Sequence, residues 1–379
     1  MKNLFFSILA FLLTQIAFSQ LLHKLPFQLI NNQIYVDFNI GNGEVYTFLI
    51  DTGWQGVAID QSFEQLPFLS KENIIRNTLN FKNGDFSKNI RFIRFNNIKT
   101  FSGDFSDGII GPDFFSDYLI EFDYSNKMIN LYAQNHAIDK DFTKLAIRYI
   151  RNPHYIYGLF LTELEIFLPN GEIIKGELAI DTGNGHNITL LDASLQKVIE
   201  HRSIETIKAQ THNLNESYRL KNPLYLKASK IIFNNKNYEK LVLNYLKSDT
   251  KEEFIGLIGG GFLKNFTLLM DYKNKVLYAK ENIIPDFQTN LITNGLGYRD
   301  CRKMQMGFMV SRKIIDSKYF NLDINLEDQI IKIDGVDVRD IDFNKSLQDK
   351  TIIGNKIKYT LKRNNREVEI ETEVKALLF

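Results

Sequence analysis

Phe48-Leu49-Ile50-Asp51-Thr52-Gly53 returns 130 residues later as Leu178-Ala179-Ile180-Asp181-Thr182-Gly183. Around this pair a longer pattern repeats. Upstream of each Asp-Thr-Gly lies a strand, an Asn-Gly turn and a second strand, with Asn42-Gly43 in the first copy and Asn170-Gly171 in the second. Downstream, Gly108-Ile109-Ile110-Gly111-Pro112-Asp113-Phe114 is matched by Gly256-Leu257-Ile258-Gly259-Gly260-Gly261-Phe262. Twelve residues after Gly111 and Gly259 come Asp123-Tyr124-Ser125-Asn126-Lys127 and Asp271-Tyr272-Lys273-Asn274-Lys275. A unit of this length, present twice, predicts two similar lobes related by an approximate twofold axis.

The lobes read as mainly β. Runs such as Ile34-Tyr35-Val36-Asp37-Phe38, Arg91-Phe92-Ile93-Arg94-Phe95 and Leu164-Glu165-Ile166-Phe167-Leu168 alternate or are β-rich, and Leu191 to His201 is the best helical stretch before residue 290. The pattern divides the chain into a first lobe at 20–140, a second at 141–285, a linker at 286–302 with Asn294-Gly295 and Gly297 as breakers, and a separate unit at 303–379. That last unit holds Gly307-Phe308-Met309-Val310, a short helix over Asp316 to Asn321, and Asp328-Gln329-Ile330-Ile331-Lys332-Ile333-Asp334-Gly335.

Composition excludes several classes. The chain has 379 residues, 44% of them hydrophobic, with 46 Lys+Arg against 45 Asp+Glu. That balance gives neither nucleic acid nor an acidic membrane surface a reason to bind. Met1-Lys2-Asn3, the apolar run from Leu4 to Leu13 and Ala17-Phe18-Ser19 form a signal-peptide pattern over residues 1–19, with cleavage before Gln20 and no anchor left behind. The expected location is therefore the periplasm or the medium. Cys301 is the only cysteine and reads as a small buried apolar residue, because no His motif accompanies it. The six His are scattered, so neither a metal nor a cofactor is implied.

Two carboxylates brought together across a twofold axis cannot both ionise comfortably, so one keeps its proton. The charged member can take a proton from a water while the neutral member donates to a substrate carbonyl. Asp51 and Asp181 are the candidate catalytic pair. Thr52 and Thr182 are placed to tie the two loops together, and Gly53 and Gly183 to let the chain turn tightly beside the carboxyls. Asp123 and Asp271 read as turn formers. His186 is close enough to Asp181 to line the cleft, although the dyad needs no imidazole.

The paired Asp-Thr-Gly segments resemble the active-site loops of the retropepsin and pepsin superfamily. Ile110-Gly111 and Ile258-Gly259 resemble its apolar-Gly element under each catalytic loop. Met306-Gly307-Phe308-Met309 and Asp328 to Gly335 resemble a PDZ domain, with Glu327 and Asp334 as departures from the usual Gly and Asn. Together they resemble the bacterial retropepsin-like aspartyl proteases that carry a C-terminal PDZ domain. The resemblance implies two β-barrel lobes forming one acid-protease unit complete within a single chain, followed by an α+β PDZ-like domain. It implies a peptide or protein substrate, and a C-terminal peptide ligand bound by strand addition at Gly307, Phe308 and Met309. The superfamily usually has Ser or Ala after Asp-Thr-Gly, whereas Trp54 and Asn184 stand there, Asn184 still able to donate a hydrogen bond. Turns at Lys82-Asn83-Gly84-Asp85 and around Asn213-Leu214-Asn215 are candidates to cover the cleft. The rival reading is a non-catalytic peptide-binding protein that keeps the fold.

Overall fold

In the computed structural model, the described residues are 20–40, 43–61, 78–95, 98–151, 158–212, 220–248 and 253–378. Residues 1–19, where a signal peptide is expected, Asn42 and the expected cover at 213–215 lie outside them. The architecture is mainly β, in two large sheets and one two-stranded sheet. Neither large sheet closes on itself, so the expected barrels are open.

The repeat seen in the sequence is a repeat of strand pairing. In the first half Val45–Ile50 runs parallel to Gly108–Ile110, in the register Phe48↔Gly108 and Ile50↔Ile110. In the second half Ile173–Asp181 runs parallel to Gly256–Gly259, with Leu178↔Gly256 and Ile180↔Ile258. The other edge of each short glycine-bounded strand is taken antiparallel, by Val57–Asp60 in one half and Ile188–Leu190 in the other. Ile109, Ile110 and Ile258 on these strands are buried, which explains their apolar character. The Asp-Tyr-x-Asn-Lys motifs turn the following hairpins. Asp123 accepts from the Asn126 N–H at 3.0 Å and Asp271 from the Asn274 N–H at 2.9 Å, with Lys127 and Lys275 at φ 53° and 57°. Asp123 and Asp271 thus shape turns, as their sequence context predicts.

Those hairpins hold the halves together. A six-stranded antiparallel run crosses from one to the other, with Leu119–Asp123 of the first half pairing Phe266–Asp271 of the second. One continuous apolar core results, containing Phe38, Phe48, Phe81 and Phe114 from the first half and Leu178, Ile258, Phe262 and Leu268 from the second.

Residues 286–302 do not form the expected linker. They carry the strands Leu291–Thr293 and Leu296–Asp300. Gly295, at φ 91°, turns the chain between them. Leu296 and Tyr298 then alternate into the C-terminal core beside Phe308, Val310, Phe343 and Tyr359. The glycines that read as breakers therefore serve a strand pair, and the C-terminal unit begins near Leu291. Asp316 to Asn321 forms turns where a helix was expected.

This unit is bonded into the rest of the molecule. Ile207–His212 pairs with Phe308–Ile314 through Ala209↔Ile314, Gln210↔Lys313 and Thr211↔Arg312. The Phe105 and Phe343 rings lie 4.8 Å apart. Gly103 takes φ 77° and passes so close to the Asp300 backbone that a β-carbon there would collide.

Candidate active site

Asp51 and Asp181 sit at the ends of the two equivalent strands. Asp51 N–H donates to the Ile110 carbonyl at 3.0 Å, and Asp181 pairs in register with Gly259. The segments carrying Ile110, Gly111, Ile258 and Gly259 thus run beside the strands that lead into the two loops. Their glycines are there for lack of space. A β-carbon on Gly111 would lie 2.6 Å from the Trp54 carbonyl oxygen, and one on Gly259 would strike the Asn184 and His186 carbonyls.

The two loops are joined by a reciprocal set of hydrogen bonds. Thr52 N–H donates to Thr182 Oγ1 and Thr182 N–H to Thr52 Oγ1, each at 3.0 Å. Thr52 Oγ1 donates onward to the Ile180 carbonyl at 2.9 Å, and Thr182 Oγ1 to the Ile50 carbonyl at 2.8 Å. Thr52 is 3% and Thr182 0% exposed, so none of these groups has water as an alternative partner. Gly53 and Gly183 turn the chain so that their N–H groups donate to Asp51 Oδ1 and Asp181 Oδ1, at 2.8 and 2.9 Å. Each glycine also faces the opposite carboxyl. A β-carbon on Gly53 would lie 3.0 Å from Asp181 Cγ, and one on Gly183 would run into the Asp51 carboxyl.

The two carboxyls are close enough to be coupled through a side-chain hydrogen bond. Burial, then the Asp181 charge and that hydrogen bond, hold the Asp51 carboxyl well above the usual range. Burial also raises Asp181, against the hydrogen bond with Asp51 and the N–H groups of Gly183 and Asn184, which pull it down. The pair therefore holds one proton and one negative charge together, and titrates as a unit. Such a pair can supply a base and an acid to the same reacting centre.

Trp54 and Asn184 leave this geometry intact. The Trp54 backbone N–H donates to the Asp51 backbone carbonyl at 3.1 Å, closing the turn. Its indole packs edge-on to Phe95 at 5.4 Å, which accounts for its bulk. The Asn184 side chain does not serve its carboxylate directly. It donates to Thr189 Oγ1 at 2.9 Å and accepts from His186 N–H at 3.1 Å, so the loop is braced, and the backbone N–H donates to the Asp181 backbone carbonyl at 3.2 Å. His186 is absent from the cavity lining. It meets Tyr225 edge-on at 5.8 Å, and burial, with the Arg312 charge second, lowers it to about 3, which keeps it neutral.

The pair lies in a cavity of about 350 Å³, at the small end of the range for ligand sites. Three groups of lining residues were not singled out from the sequence. The first is the tip of the Leu21–Ile30/Gln33–Asn39 hairpin. There Asn31 and Asn32 take φ 52° and 64°, Asn32 donates to the Gly185 carbonyl at 2.9 Å, and Gln33 donates to the Gly183 carbonyl. The Asn31-Asn32 pair signals such a turn, but nothing in it says which loop the turn will meet. The second is Ile98, Ser102 and Phe105, from the short helix Ile98–Ser102 and the turn after it. The third is Tyr298, Arg299, Ser311 and Phe343, all from the C-terminal unit.

The expected cover at Lys82-Asn83-Gly84-Asp85 is elsewhere. It is indeed a hairpin turn, but it contributes nothing to the cavity. Asn83 donates to the Asp37 carbonyl at 2.8 Å and Asp85 meets His23 at 3.2 Å, which pins the tip to the first two strands.

Strand addition at Gly307, Phe308 and Met309 is also corrected. Phe308 pairs with Asp300 on one edge and Ile330 on the other, and Met309 with Arg299 and Gln329. Both edges are thus used within the chain. The closeness of Leu296–Asp300 to Phe308–Ile314 in sequence makes that hairpin the cheapest partner. Gly307 itself takes φ 65°, which explains the residue type. Cys301 is buried, as its isolation predicts. Among the described residues no three His, Cys, Asp or Glu gather to hold a metal ion, and no helix is long and apolar enough to cross a membrane.

Protein-family models and curated proteins were both compared with the chain, and neither comparison finds a match.

Proposed function

We propose that the chain is an aspartic endopeptidase. The observation that carries this reading is the shared-proton pair Asp51/Asp181, locked by reciprocal threonine bonds across two equivalent half-sites. In the reaction, the ionised member takes a proton from a water as its oxygen attacks the peptide carbonyl carbon. The Asp51 carboxyl gives its proton to the carbonyl oxygen. The tetrahedral diol then collapses: one hydroxyl returns its proton to the carboxylate of Asp51, the C–N bond breaks, and the other carboxyl passes the proton it took from water to the leaving amine. The duplicated parallel pairings that lead into the two loops support reading the halves as retropepsin-like lobes.

The C-terminal unit fits a PDZ-like module whose ligand edge is filled by its own strand Leu296–Asp300. On this reading it serves as a wall of the cavity, since Tyr298, Arg299, Ser311 and Phe343 line it. The residues 1–19 argue for export to the periplasm or medium.

The test is cleavage of a mixed peptide library by the mature chain from about pH 3 to 8, beside Asp51→Asn and Asp181→Asn, with and without pepstatin. Cleavage lost in both variants is the expected result. A folded protein that cuts nothing at any pH would instead leave a peptide-binding protein.

A further inference from the structure

The cavity that holds the carboxyl pair also contains a cation. Arg299 lies in Leu296–Asp300, which reaches the cavity from the C-terminal unit, and it is only 6% exposed. Its Nε and Nη2 are buried without a hydrogen-bond partner. A guanidinium cannot shed its charge at working pH, so burying it unpaired is costly unless something else completes it. The carboxylate next in the chain and that of Asp107, beside the lining residue Ser106, are already committed. Asp300 is held by Arg302 at 2.6 Å and Asp107 by Lys99 at 2.8 Å.

Two more cations stand on the same unit. Arg312 donates from Nη1 to the Tyr225 hydroxyl at 2.9 Å. The Lys350 ammonium lies 4.0 Å from the centroid of the Tyr298 ring, itself part of the cavity wall. Burial, with the Arg312 charge second, brings Lys350 down to about 7. Among the described residues no carboxylate pairs with any of the three. The lining of the cavity itself therefore holds the carboxyl pair and one guanidinium, that of Arg299.

We propose that Arg299 docks a carboxylate of the peptide entering the cavity, either an acidic side chain or a free C-terminus near the bond to be cut. A planar guanidinium with free N–H groups takes a carboxylate in two parallel hydrogen bonds, which fixes orientation as well as charge. The ligand would restore the partner that the protein alone withholds. The inference rests on the peptidase reading for the cleavage step, and not for binding itself.

The two are separated by working first with the full mature chain carrying Asp181→Asn, which cuts nothing. Calorimetry is run against one peptide sequence with Glu or Gln walked along it, each ending in a free carboxylate or an amide. Carboxylate-bearing peptides are expected to bind about 10- to 100-fold tighter than their neutral counterparts. Arg299→Gln should erase that preference and Arg299→Lys should keep part of it. Dependence on Glu assigns the side chain as the docked group, and dependence on the free terminus assigns the C-terminus.

Equal binding of acidic and neutral peptides, or a preference that survives Arg299→Gln, would overturn the inference. Thermal unfolding of Arg299→Met gives a readout free of ligand. The midpoint should rise, because an unpaired buried charge is gone, whereas a fall would mean that the arginine already serves the fold. In the active chain kcat/KM should track the same ranking. Binding preference without any cleavage would leave this inference standing and remove the peptidase reading.

Discussion

Replacing Thr52 by Val removes a hydroxyl and keeps the shape. Two bonds vanish with it, the one received from Thr182 N–H at 3.0 Å and the one given to the Ile180 carbonyl at 2.9 Å. Each is worth about 1 kcal/mol net, and an orphaned buried donor adds roughly 1–3 kcal/mol. Water cannot repair the loss, since Thr182 is 0% exposed. The expected destabilisation is therefore about 3–5 kcal/mol, read from urea unfolding. Activity should fall more steeply than stability, because the loops that fix the carboxyl spacing would part. Thr52→Ser keeps the oxygen, so it should lie within about 1 kcal/mol of the parent and stay active. A Thr52→Val protein within about 0.5 kcal/mol of the parent, with normal turnover, would refute the claim that the reciprocal bonds hold the site.

Three further outcomes are expected from the same geometry. The raised Asp51 carboxyl stays protonated in the fold at pH values where the unfolded chain, near 3.8, has lost its proton, so it contributes stability at low pH that is lost as pH rises through the folded value. Asp51→Asn carries no such penalty, so its melting temperature should exceed the parent's at pH 8 and the gap should close by about pH 4; an unchanging gap would count against the shift. Gly183→Ala puts a methyl against the Asp51 carboxyl, and kcat should drop by at least about 100-fold in a protein that still folds; near-normal kcat would mean that the carboxyls are not held this close. Gly103→Ala combines a left-handed backbone at φ 77° with a collision against Asp300, so limited proteolysis should release the C-terminal unit faster than in the parent, and equal rates would argue that the contact is not needed.

The sequence carried the symmetric part of this molecule well. Asp51, Asp181 and the glycine-bounded strands repeat because each half solves the same problem with the same residues, and a repeat is visible without knowing what it touches. The walls of the cavity are different. Asn31, Phe105, Arg299 and Phe343 come from four separate places in the chain, and each is ordinary in its local context. Arg299 reads as a charged residue near a flexible joint until Leu296–Asp300 is seen to be a buried strand. The turn at Lys82–Asp85 erred in the other direction: its local signal was right and its location was not, because turn chemistry fixes a hairpin but says nothing about the surface it rests on.

The threonine bonds between Asp51's loop and Asp181's loop join residues 130 positions apart. Contacts so distant in sequence close late, after the chain has paid the entropy of bringing its halves together. Neither half owns a working pair of carboxyls. A chain unfolded in one half consequently lacks the paired carboxyls, and the candidate site arrives only with the completed fold. On the proposed peptidase reading, a half-formed copy would expose cleavable backbone yet have no means of cutting its siblings.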